Sequence, residues 1–201
     1  MAEENGTVYD PRVLRAIAHP VRNRILTELS AGGPMRAADV ARELGIPANQ
    51  ASFHLRQLAR YGLIEEAPEA ARDQRDRVWR AADDGGPSID VGALEKEPGG
   101  KAAATVFLRN AAGWAHQLVD AAYGRDRRPD TYRSTTATAI RLTKDEAARL
   151  SAEIGELLDR WTRSHRGRDD GRTTYAYHAM LLPQPDPTGR DGADTDAGGD
   201  A

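Results

Sequence analysis

Residues 45–63 read Gly45-Ile46-Pro47-Ala48-Asn49-Gln50-Ala51-Ser52-Phe53-His54-Leu55-Arg56-Gln57-Leu58-Ala59-Arg60-Tyr61-Gly62-Leu63. At about 100° per residue, Ala51, Leu55 and Leu58 fall on one narrow stripe, the inner edge of a packed helix. The opposite stripe carries Asn49, Phe53, Arg56 and Arg60, with Gln50, Ser52 and Gln57 on its flanks. A solvated face more often holds Glu and Lys. This one has no acid, and its guanidiniums, amides and hydroxyl are the groups that hydrogen-bond base edges and phosphates. Pro47 and Ala48 suit a first turn, where a missing N–H costs nothing, and Gly62 suits a C′ stop. The stretch reads as a DNA recognition helix over Ala48–Tyr61.

Working outward, Pro11 opens a short helix to Ala18 with Val13, Leu14 and Ile17 at helical spacing. His19-Pro20 restarts the chain, and Val21, Ile25, Leu26 and Leu29 form the stripe of a second helix ending near Gly32-Gly33. A third, from Arg36 to Leu44, buries Val40 and Leu44 and stops at Gly45. Two helices joined by a short turn containing Gly make a helix-turn-helix. After Gly62 the period changes: Leu63 to Glu66 reads as a strand, Pro68 to Arg75 as a polar loop, and Arg77 to Ala81 as a second strand. A hairpin in that place is a wing. Arg72, Arg75 and Arg77 stand at or near its tip, in reach of phosphates or a minor groove; Asp73 and Asp76 between them leave a merely solvated loop as the alternative.

These segments together resemble the winged helix of ArsR-type bacterial transcriptional regulators. The resemblance is carried by Ile17-Ala18-His19-Pro20-Val21-Arg22-Asn23-Arg24-Ile25-Leu26, by Ala38 to Ile46, by Ser52-Phe53-His54-Leu55-Arg56-Gln57-Leu58 and by Gly62-Leu63-Ile64, and it spans about Asp10 to Asp83. It implies that bases are read from Ala48, Gln50, Ser52, Phe53 and Arg56, and that a homodimer sets two such helices in successive major grooves of a near-palindromic operator. Phe53 departs from the family, where a histidine is usual; it either touches a thymine methyl or packs against a neighbour and reads nothing. The family's metal sensors carry a cysteine pair in the third helix, where this chain has Met35 to Val40. Elsewhere only His116 and Asp120 offer an i, i+4 pair, so neither metal nor cofactor is expected.

Composition bounds the rest. The 201 residues allow one large or two small domains, and the absence of cysteine excludes disulfides and thiolate metal sites. The net charge is −3, and up to Gly85 there are 12 Arg, no Lys and 13 Asp plus Glu. Any DNA-attracting field therefore comes from where the arginines sit, not from their number. No apolar run of about 18 residues occurs, and Met-Ala-Glu-Glu-Asn-Gly lacks the basic start and apolar centre of a signal peptide, so a cytoplasmic protein is expected.

The domain layout expected is a disordered leader (1–9), a winged helix-turn-helix (10–83), a Gly/Pro-rich linker (84–101), a dimerisation and candidate effector domain (102–182), and a disordered acidic tail (183–201). From Ala102 to Tyr123 a helix is apolar on more than one stripe and must be covered on more than one side; Val106, Phe107, Trp114 and Leu118 are its dimerisation candidates, with burial within the chain compatible. Tyr132–Leu142 alternates as a strand, Thr143-Lys144-Asp145-Glu146 is a capping box, a helix follows with Ala147, Leu150, Ile154, Leu157, Leu158 and Trp161 on one stripe, and Thr174–Leu182 reads as another strand. The fold class is thus α+β: a winged helix-turn-helix, a dimerisation helix and a small β-α-β domain. Trp161, Tyr175, Tyr177 and His178 are the groups a small-molecule effector pocket would use, although aromatics at such spacing more often fill a core.

Function follows as an expectation: a sequence-specific, dimeric regulator of transcription, a repressor, with double-stranded DNA and a second copy of itself as partners and an unidentified small-molecule effector as a third. The alternative is a winged helix that contacts proteins and never DNA, supported by the acidic balance and by Phe53 on the contact face. No nucleophile elbow and no Gly-rich phosphate loop occurs, so no enzyme is expected.

Overall fold

A computed structural model describes residues 7–8, 10–71, 77–83, 88–125, 128–168 and 171–184. The elements run β1 (Thr7–Val8), α1 (Pro11–Ile17), α2 (Pro20–Gly32), β2 (Met35–Arg36), α3 (Ala37–Leu44), α4 (Ala48–Arg60), β3 (Ile64–Glu66), a 3-10 turn (Pro68–Ala70), β4 (Val78–Ala81), β5 (Ser88–Ile89), α5 (Val91–Leu94), α6 (Gly100–Tyr123) and α7 (Lys144–His165). An α+β winged helix-turn-helix results. The wing strands β3 and β4 pair antiparallel, and β2 adds on the far side of β4 to give the order β2-β4-β3.

Local chemistry places the helix ends. The Asp10 carboxylate accepts the Arg12 N–H at 2.8 Å with Pro11 in the first turn, so α1 starts there. Helices α3 and α4 both stop on a left-handed glycine, Gly45 (φ +65°) and Gly62 (φ +68°). At each, the glycine N–H and the next residue's N–H return to the last turn: Gly45 to Arg42 and Ile46 to Ala41, Gly62 to Ala59 and Leu63 to Leu58. This double closure satisfies carbonyls that would otherwise be orphaned, and it needs a residue without a Cβ penalty at positive φ. The turn into α4 is therefore fixed by backbone chemistry.

Two apolar clusters follow. Ile25, Leu29, Val40, Ala41, Ala51, Leu55, Leu58, Ile64 and Trp79 bury the inner faces of α2, α3, α4 and the wing. Leu14, Ile17, Leu94, Ala103 and Ala104 form a second cluster between α1, α5 and the start of α6. Leu26 and Leu63 touch both, so the two are joined.

Several expectations are corrected here. The 84–101 stretch read as linker holds β5 and α5: Asp90 caps α5 by accepting the Ala93 N–H at 2.9 Å, and Leu94 is fully buried. Thr7–Val8, inside the supposed leader, pairs in parallel with Ser88–Ile89. Neither 132–142 nor 174–182 forms a strand; both run without regular hydrogen bonding and exposed, joined where the Tyr132 N–H donates to the Tyr175 hydroxyl at 3.0 Å. Alternation of Thr with Ile and Leu supplies strand propensity, but a strand also needs a neighbour to pair with and a face to bury. The tail beyond residue 184 lies outside the described residues. The capping box at α7 is present, Glu146 accepting the Thr143 N–H at 2.8 Å and donating its own N–H to the Thr143 hydroxyl at 3.3 Å.

If α5 is part of the domain, Leu94→Ala opens a cavity between α1 and α6 and costs about 2–5 kcal/mol of stability in urea unfolding. An unchanged midpoint returns this segment to a linker.

Candidate nucleic-acid interface

The inner stripe of α4 is pinned: Ala51, Leu55 and Leu58 are fully buried. Helical geometry then turns Ala48, Asn49, Gln50, Phe53, Arg56 and Arg60 outward, and all six are exposed, with Ser52 and Gln57 half-buried on the flanks. Phe53 is 50% exposed, a large apolar side chain held in water at the middle of an otherwise polar face. Asn49 accepts the Gln50 N–H at 2.9 Å through its carbonyl oxygen, leaving its amide NH2 turned to solvent. No acid lies on this face.

The wing is more constrained than its sequence suggests. The Arg77 Nε lies 3.0 Å from the Glu66 carboxylate, and its guanidinium stands 5.7 Å over the Trp79 ring. Arg80 bridges Glu65 at 2.7 Å and Glu69 at 2.8 Å. Exposed pairs of this kind are worth little, so Arg77 can exchange Glu66 for a phosphate at small cost. Arg72 and Arg75 lie outside the described residues.

Behind α4 the joint with α1 and α2 holds residues to which the sequence pattern assigns no role at the interface. Arg22 donates from Nε to the Ala16 carbonyl and from an Nη to the Arg15 carbonyl at 3.0 Å, closing the C-terminus of α1. Asn110 of α6 donates to the Ala18 carbonyl at 2.7 Å. Beneath lie two histidines, His19 at the start of α2 and His54 on α4, their ring centroids 4.9 Å apart. His54 is only 8% exposed, Phe53 packs edge-on against it, and neither Nδ1 has a hydrogen-bond partner. Burial, with the neighbouring Arg22 charge, holds His19 below its ordinary range; burial, then His19 and Arg22, does the same to His54.

On α6, Phe107 packs against the second cluster, Leu118 is half-buried, and Val106 and Trp114 are exposed, Trp114 at 41%. Trp161, Tyr175, Tyr177 and His178 are all exposed, and Trp161 stacks on His165 at 5.2 Å; among the described residues no cavity encloses these four side chains. His116 spends its Nδ1 on the Ala112 carbonyl at 2.8 Å in its own helix. Among the described residues no group of three or more His, Asp or Glu is gathered as a metal would need, and no helix is long and apolar enough to cross a membrane.

Comparison with known proteins bears on the centre of this architecture. Residues 17–67 match the family model described as a helix-turn-helix domain. This stretch is a helix-turn-helix domain. The match takes in α2, α3, α4 and β3, the elements around the buried stripe of α4. No curated protein matches the chain. Among solved structures, a cysteine-to-serine mutant of MarR from E. coli shares 15% identity over 68% of this chain and 75% of its own, with a TM-score of 0.31. Wild-type apo MarR shares 16% over 73% and 87%, at 0.31. An apo double mutant of Lactococcus lactis ZitR shares 17% over 72% and 83%, at 0.29. Overlaps this loose decide nothing about the helix-turn-helix domain or its use.

The histidine pair yields a pH dependence. A histidine whose folded pKa is depressed stays neutral in the fold, while the unfolded chain takes up protons near 6.5. The unfolded state then binds more protons, so stability falls as pH drops through about 6.5 and is recovered above it. Melting temperature should decline between about pH 7.5 and pH 5.5, and His54→Leu should flatten that decline. An equal slope in both proteins removes the pair as its cause.

Proposed function

We propose that the chain is a sequence-specific, dimeric DNA-binding regulator of transcription of the ArsR type, a repressor that occludes a promoter when bound and senses no metal. The observation that carries the reading is the outward face of α4: an acid-free row of Asn49, Gln50, Phe53, Arg56 and Arg60, exposed on a helix whose opposite face is fully buried. A helix-turn-helix places such a helix in the major groove, where guanidiniums and amides read base edges. Bases are met by Ala48, Asn49, Gln50, Ser52, Phe53 and Arg56, and phosphates by Arg60 and the wing, Arg77 included. Catalysis forms no part of this reading.

Dimerisation is supported by apolar surface that the chain leaves uncovered. Val106, Trp114 and Val119 of α6, Leu157 and Trp161 of α7, and Ile140 are exposed, and no residue of α7 is buried although its stripe is amphipathic. Monomers rarely leave so much apolar surface in water. A second copy covering it sets two α4 helices about one helical turn apart on a near-palindromic site.

Two experiments test these parts separately. Fluorescence-anisotropy titration of the promoter upstream of the protein's own gene is expected to show tight binding that Arg56→Ala weakens by about 1–3 kcal/mol; equal affinity for a scrambled duplex overturns sequence-specific reading at that promoter. In sedimentation, Val106→Glu with Trp114→Glu is expected to convert a dimer to a monomer of unchanged helicity. A dimer that persists moves the interface elsewhere.

A further inference from the structure

Beside the reading face lies an open cavity of about 120 Å³, lined by Arg12, Arg15 and Ala16 of α1, Arg22 of α2, and Gln57 and Tyr61 at the end of α4. Three guanidiniums meet there, and among the described residues only Arg12 pairs with a carboxylate, that of Asp10 at 2.9 Å. Arg22 is held in place by the α1 carbonyls it caps, and its remaining amino group has no partner among the described residues. Among the described residues the Arg15 guanidinium reaches only the Gly99 carbonyl, by a long bond of 3.4 Å. Neither the Gln57 amide nor the Tyr61 hydroxyl is hydrogen-bonded among the described residues. Arg12 gives its Nε and one amino group to the Asp10 carboxylate, so the donors left over at the cavity are the other guanidinium N–H groups, the Gln57 amide and the Tyr61 hydroxyl, and their complement is an anion with several acceptor oxygens.

Its position says which anion. Gln57 lies one turn from Phe53 and one from Tyr61, on the flank of the reading stripe that faces α1. A helix with its side chains is about 10–12 Å across and the major groove about 12 Å wide, so the flanks of a seated helix meet the groove walls, which are phosphodiester. We propose that this cavity is a phosphate site that seats a backbone phosphate at the edge of the groove occupied by α4. The proposal deepens the DNA-binding reading and rests on it for the source of the phosphate, though not for the chemistry of the site. Such a contact fixes register and carries no sequence information, so it acts equally on any duplex.

The test uses the full chain and a mixed-sequence duplex. Arg12→Gln with Arg15→Gln removes two donors and leaves the structural Arg22 intact; Tyr61→Phe is the milder second variant, and melting by circular dichroism confirms that each is folded. Anisotropy titrations at several salt concentrations are expected to show about tenfold weaker binding for the double variant, with the salt slope reduced by about one. A folded double variant with unchanged affinity and slope overturns the backbone assignment. In a second arm, the DNA-free proteins are melted in inorganic phosphate and in chloride of equal ionic strength. Stabilisation of the wild type but not of the double variant, with DNA binding unaffected, keeps the phosphate site and assigns it to a free anion. Should the wild type bind no duplex at all, the regulatory reading falls and this second arm decides alone: selective stabilisation keeps the site, and none overturns it.

Discussion

The burial of one narrow stripe of α4, Ala51, Leu55 and Leu58 against Ile25, Leu29 and Val40, is the contact on which the remaining geometry depends. A helix has one rotation about its axis to choose. Once those three side chains are removed from water, at a gain of about 1.5–3 kcal/mol for each large one, the side on which Arg56 and Phe53 project is no longer free. Gly45 and Gly62 set the length and entry of the helix by closing their turns in the left-handed region. The exposed row is therefore preorganised by packing it does not share.

The joint between α1, α2 and α4 shows how polar chemistry holds what the apolar stripe alone does not. The α1–α2 turn leaves carbonyls at Arg15, Ala16 and Ala18 that have no helical partner, and Arg22 and Asn110 take all three. Asn110 comes from α6, so the long helix is tied to the domain by a hydrogen bond as well as by Leu14, Ile17 and Leu94. The His19–His54 pair sits under the same joint with both Nδ1 atoms unpartnered. A buried donor or acceptor left alone costs free energy, and here the cost falls on the joint that orients α4.

The second half is built on a different balance. At its start α6 is anchored by Ala103 and Ala104, while beyond Asn110 no residue of it is buried. From the other side the chain returns to the domain at the end of α2, where Arg166 donates to the Ser30 carbonyl at 2.9 Å, the Gly167 N–H to the Gly32 carbonyl at 3.1 Å, and the Thr174 hydroxyl to Glu28 at 3.0 Å. Apolar burial with the Asn110 hydrogen bond at one end, polar anchors at the other and apolar surface between them give a segment positioned by the helix-turn-helix domain and uncovered by it.

Sequence by itself determined the helices of the domain, the wing strands and the outward row on α4, because each is written in short-range periodicity and in turn glycines that act within a few residues. Asn49, Phe53, Arg56 and Arg60 were legible for the same reason: knowing the inner stripe gives the outer one. Tertiary structure alone decided that Leu94 belongs to a core, that 132–142 and 174–182 form no strand pairing, and that Arg77 meets Glu66. It also alone brought Arg12, Arg15 and Arg22 to Gln57 and Tyr61, and His19 to His54. These contacts join residues separated by tens of positions, where no spacing rule operates. Whether a strand pairs or a charge finds a partner depends on which distant surface the packing delivers, and that is a property of the folded chain.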